Sequence, residues 1–170
     1  MLAKWHRQKP EFAEPDRLTR AIQCAIDELE AEGVIDPEVE NADPEQDRYE
    51  GYCARSAQAY WRLTKAPAYR ALARDPDVEP YVLRDEGEQP HYWIRVRTTG
   101  EVLDLNYGPD DTPDRHYPYM RGEPWRKFQP DPAGSNWPRR IDARLIMERV
   151  MANEAPARAP ARTGRGNGQE

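Results

Sequence analysis

The stretch HYWIRVRTTGEVLDLNY, His91 to Tyr107, alternates in character on either side of Thr98-Thr99-Gly100, the pattern of an antiparallel β-hairpin. Because successive strand residues point to opposite faces, its register decides which side chains can meet. A four-residue loop from Arg97 to Gly100, with Gly100 in the positive-φ position, sets Val96 opposite Glu101, Trp93 opposite Asp104 and His91 opposite Asn106. His91 and Asp104 are then diagonal neighbours on one face, within side-chain reach. A two-residue loop, Thr99-Gly100, sets Arg95 opposite Asp104 as a cross-strand ion pair and leaves His91 roughly 13 Å from Asp104. The sequence leaves both registers open.

Upstream the period is helical. EPDRLTRAIQCAIDELEAEG puts Pro15 in a first turn, Leu18, Ile22, Ala25, Ile26 and Leu29 on one stripe, and Gly33 at the stop, which predicts an amphipathic helix. Cys24 falls off that stripe and reads as a semi-exposed thiol. A second helix is predicted from Gly51 to about Ala66, with Ala54, Ala57, Tyr60, Trp61 and Leu63 on its apolar side, and a short one in APAYRALARDPD that Asp75-Pro76 ends. VEPYVLRD reads as a strand placed at a sheet edge by Pro80. A last helix, about Ile141 to Asn153, offers Ile141, Leu145, Ile146 and Val150 to a core.

These elements imply one α+β domain over residues 14–153, with N-terminal and central helices packed on a small antiparallel sheet. Residues 1–13 read as an arm anchored by Trp5 and Phe12, and 154–170 as a disordered tail of low complexity. Residues 36–47 read as an acidic, Pro-punctuated loop. The Pro-rich span 108–138 is too long for an ordinary connection and, with its aromatic residues, reads as a cover over something.

Of 170 residues, 31 are Asp or Glu and 25 Lys or Arg, a net charge of −6. That balance argues against a nucleic-acid partner, which needs a basic face. No apolar run is long enough to span a bilayer or to serve as a signal peptide, so neither a membrane partner nor export is expected, and a cytoplasmic location is. Cys24 and Cys53, the two cysteines, are expected to stay reduced there. Three scattered histidines supply no close-spaced metal set, and no phosphate-binding glycine loop or dinucleotide fingerprint occurs, so no cofactor or metal is expected.

Cys53 opens the second helix in EGYCARSAQAYW. It is either a nucleophile or a small buried apolar residue. Thiol catalysis needs a thiolate, a base beside it and a group that orients the base. A helix N-terminus favours a thiolate, and its N–H groups can also hold an oxyanion. The order Cys53, His91, Asp104 supplies nucleophile, base and orienter, with Asn106 as the alternative orienting residue. Trp93, Tyr107, Tyr117, Tyr119 and Trp125 are candidates for the pocket or its lid.

At GYCARSAQAYWRL, HYWIRVRTTGEVLDLNY, YPYMRGEPWRKF and PRRIDARLIMERV the chain resembles a family of small proteins encoded by tailed phages and prophages. That pattern is in turn similar to the transglutaminase-like core of the papain-like superfamily, and less closely to arylamine N-acetyltransferases. The resemblance implies Cys53 as nucleophile, His91 as base and Asp104 as orienter. The chemistry it implies is thiol-dependent acyl transfer: peptide, isopeptide or amide hydrolysis, deamidation or transglutaminase-like transfer, acting on a peptide or amide substrate. The alternative is a non-catalytic phage accessory protein that binds a host or virion protein.

Overall fold

The hairpin adopts the four-residue loop. The structure, a computed structural model, describes residues 9–37, 48–49, 51–84, 90–125 and 137–155, with side chains omitted over 137–141. Strand β2 (His91–Val96) pairs antiparallel with β3 (Val102–Leu103) through Ile94–Leu103 and Arg95–Val102. Val96 N–H donates to Glu101 O at 2.9 Å, Gly100 N–H to Val96 O at 2.8 Å, and Gly100 has φ +76°. Continued by one residue, that register puts Trp93 opposite Asp104.

Strand β1 (Val78–Leu83) pairs antiparallel with the other side of β2 and with the two-residue β4 (Glu123–Pro124), giving a sheet of order β3-β2-β1-β4. The edge position expected for β1 is therefore not found. Pro80 is accommodated because its carbonyl points to the β4 side, where it accepts from Trp125 N at 2.7 Å. The nitrogen without a proton points the same way, past the end of β4, and the ladder to β2 stays intact.

Helix α1 (Arg17–Ala31) starts one residue after its cap, Asp16, whose carboxylate accepts from Thr19 N at 2.8 Å. Pro15 thus precedes the helix instead of standing in its first turn. Gly33, at φ +69°, ends it in the left-handed conformation that glycine adopts without penalty. The predicted stripe Leu18, Ile22, Ala25, Ile26 and Leu29 is buried. Helix α2 (Cys53–Lys65), the single-turn α3 (Pro67–Arg70) and α4 (Trp137–Glu154) are the other α-helices among the described residues. The predicted Leu145, Ile146 and Val150 pack in the core, while the side chain of Ile141 lies outside the described residues.

The sheet separates two apolar layers. Val78, Val82, Tyr92, Ile94, Val96, Leu103 and Leu105 pack with α1, α2 and α4 in the main core. On the other face Leu83, Trp93, Val102 and Tyr119 form a second cluster with Phe12, Tyr81 and Tyr117 against it. Of the expected arm, residues 1–8, Trp5 included, lie outside the described residues. Its end lies against β3, where Ala13 N–H donates to Val102 O and Val102 N–H to Glu11 O, both at 2.8 Å. That contact covers the open edge of the sheet. The acidic segment over 38–47, the loop beyond 125 and the tail beyond 155 lie outside the described residues. Among the described residues no helix is long and apolar enough to cross a membrane.

Candidate active site

Cys53 is the first residue of α2, directly after Tyr52 and Gly51 at φ +86°. The first i to i−4 bond of the helix runs from Ser56 N to Tyr52 O at 2.9 Å. The N–H groups of residues 53–55 thus precede the helical ladder, and no side chain caps this end. Arg55, 1 % exposed, fixes the entry: its guanidinium donates to Gly51 O and Asp36 O and pairs with Asp142 at 2.7 Å. Cys53 itself is half-buried, whereas Cys24 is exposed. Burial and the neighbouring Glu28 carboxylate raise the Cys24 thiol above its ordinary pKa.

The strand ends that follow are tied to this helix start. Tyr49 N–H donates to Asn106 O at 3.2 Å and Tyr52 N–H to Tyr49 O at 3.1 Å. Gln23, buried on α1, donates its amide to Leu105 O and Tyr107 O at 3.2 and 2.7 Å. The turn after Asp104 is therefore held by the segment that delivers Cys53.

His91 Nε2 lies 2.6 Å from Asp104 Oδ2, the two side chains being 17 % and 1 % exposed. Asp104 Oδ2 also accepts from the Tyr119 hydroxyl at 2.7 Å, and Oδ1 from Asn106 N at 3.0 Å. Burial pushes the Asp104 carboxyl up, but the His91 charge and these donors outweigh it and hold it below the usual carboxylate range. Burial pulls the His91 imidazole down, yet Asp104 first, and then a hydrogen bond and charge interaction with Cys53, lift it well above its ordinary value. Asp104 is thus ionised and accepts from Nε2–H, which leaves Nδ1 as the nitrogen available to Cys53.

The structure puts His91 in direct contact with Asp104 and close enough to Cys53 for the two to interact. Asn106 supplies its backbone N–H to Asp104, and its own buried Oδ1 has no hydrogen-bond partner among the described residues. The aromatic candidates divide. Trp93 stacks on His91 with centroids 5.8 Å apart, and Tyr117 stands edge-on to it at 5.0 Å. Tyr119 reaches past the imidazole to Asp104. The Tyr107 hydroxyl accepts from Asp114 N at 3.0 Å. Trp125 packs on Tyr92 at 4.4 Å in the helix-side core, not over His91. A cavity of about 330 Å³ opens behind Asp104 between Phe12, Arg20, Tyr107, Pro109 and Arg115. Among the described residues no three His, Cys, Asp or Glu side chains are grouped to hold a metal ion.

Two contributions were not legible in the sequence: the bond from the hydroxyl of Tyr119, expected only as a pocket or lid residue, to Asp104, and Gln23 beneath the turn. The need of a buried tyrosine for a hydroxyl partner was the available signal for Tyr119. No family model, curated protein or solved structure matches this chain.

Proposed function

We propose that the protein is a thiol-dependent acyl-transfer enzyme with a transglutaminase-like Cys-His-Asp core, as the resemblance to phage and prophage proteins implies. The observation that carries this reading is the buried His91–Asp104 pair, 2.6 Å apart, beside a cysteine at a helix N-terminus. In the reaction the Cys53 thiolate attacks the carbonyl carbon of an amide, and the developing oxyanion is held by N–H groups at the start of α2. The C–N bond breaks as His91 Nδ1–H protonates the departing nitrogen, leaving a thioester on Cys53. Water, or an acceptor amine, gives a proton to Nδ1, attacks the thioester and releases the thiolate.

The exposed Cys24 is an internal control, because its thiol is raised. At neutral pH iodoacetamide is expected to modify Cys53 at least about tenfold faster than Cys24, and activated acyl esters to leave an acyl mass on Cys53 alone. Replacement of His91 by Ala should abolish the difference. Modification of Cys53 no faster than Cys24 would sink the enzyme reading. A second reading, a non-catalytic interaction protein, is favoured by the cavity of about 330 Å³, whose lining includes Asp104 but neither Cys53 nor His91.

A further inference from the structure

We propose that Tyr119 is a positioning residue of this site, its hydroxyl aiming the Asp104 carboxylate at His91 and moderating the basicity of the imidazole. The catalytic consequence rests on the acyl-transfer reading, but the positioning itself does not. Asp104 Oδ2 is shared between two donors, His91 Nε2 at 2.6 Å and the Tyr119 hydroxyl at 2.7 Å, while Oδ1 is fixed by Asn106 N–H. A carboxylate with three such bonds cannot rotate about its terminal torsion without breaking at least one.

The ring of Tyr119 is placed for this. It starts a single 3-10 turn, Tyr119–Arg121, and is 3 % exposed. Trp93, Phe12 and Tyr117 contact it edge-on or tilted, at centroid distances of 5.2, 5.4 and 4.8 Å. Three aromatic walls fix the ring and so hold the hydroxyl oxygen within hydrogen-bond reach of Asp104. Burial, and after it the Asp104 charge, raise the phenol far above its ordinary pKa, so it remains a donor throughout the working range.

A donor on Oδ2 draws negative charge away from the bond to Nε2. An imidazolium so moderated gives up its Nδ1 proton more readily to a leaving group. Among the described residues the ionisable groups that face the pair include Cys53 from α2, Tyr117 and Tyr119 from the loop, and Tyr107, which interacts with the Tyr119 hydroxyl.

The test is the nitrogen-15 NMR titration of His91 in the full chain. Tyr119→Phe keeps the ring and its packing, and is expected to raise the His91 midpoint by about 0.5–1 pH unit. Site-specific 3,5-difluorotyrosine at position 119, a stronger donor of nearly the same shape, is expected to lower it. A tyrosine that merely filled space would move neither. If both proteins titrate with the wild-type midpoint, the proposal is overturned, whatever the reactivity of Cys53. If the midpoints move in opposite directions while Cys53 alkylates no faster than Cys24, Tyr119 keeps its role and the acyl-transfer reading falls.

Discussion

Asp104 accepts three hydrogen bonds at 1 % exposure, so changing its charge and changing its shape have separable effects. Asp104→Asn keeps the outline but removes the partner charge of His91. Burial then dominates the imidazole, and the His91 midpoint is expected to fall below its wild-type position in an NMR titration. The loss of a charge-assisted bond should cost about 2 kcal/mol in urea unfolding. Gly122 makes a different point. Its φ is an ordinary −66°, so backbone freedom is not the reason for glycine there. A Cβ would lie 2.3 Å from the Trp93 ring, itself 1 % exposed and confined beside His91. Gly122→Ala should destabilise by about 2 kcal/mol through overpacking, read by thermal or urea unfolding. A change near zero would mean that the loop over Trp93 is not packed as described.

At the scale of elements, α1 and the turn after β3 meet through one side chain. Gln23 spends both amide protons on Leu105 O and Tyr107 O, while its Oε1 accepts from Arg20 at 2.7 Å. Gln23→Ala leaves the buried Leu105 carbonyl and the part-buried Tyr107 carbonyl short of a donor, with an expected cost of about 2 kcal/mol. It should also slow Cys53 alkylation, because the turn it releases carries Asp104 toward His91. Wild-type alkylation in Gln23→Ala would show that the hairpin positions Asp104 without help from α1. The hairpin register itself was narrowed to two choices by the sequence, since Gly100 fixes where a positive φ is available but not the loop length. The two registers differ by two residues and leave Leu103 on the helix side and Val102 on the Trp93 side in either case, so face burial does not choose between them; the observed one pairs Ile94 with Leu103 and brings Asp104 to His91.

Over the whole molecule, the His91–Asp104 pair gives stability a defined pH window. His91 is raised in the folded chain, so its contribution is complete below the ordinary imidazole value of 6.5 and is lost as pH rises through the higher folded value. Asp104 is lowered, so its contribution is complete above 3.8 and is lost as pH falls through the lower folded value. The stability difference between wild type and Asp104→Asn, from urea unfolding across pH, should therefore be greatest between these two ordinary values and shrink on the alkaline side. A difference that grows above pH 6.5 would contradict the charged pair. The sequence by itself determined the parts with a local physical cause: the α1 stripe with its Gly33 stop, a helix with Cys53 near its start, read as beginning at Gly51 and found to begin at Cys53, and the hairpin with Gly100 in its turn. Periodicity and glycine conformation act within a few residues, so they can be read along the chain. Only the tertiary structure decided that β1 lies inside the sheet, that Trp125 belongs to the helix-side core, and that Tyr119 completes the carboxylate of Asp104. Those outcomes depend on which distant groups satisfy a buried polar atom or fill a given volume, and no spacing in the sequence encodes that.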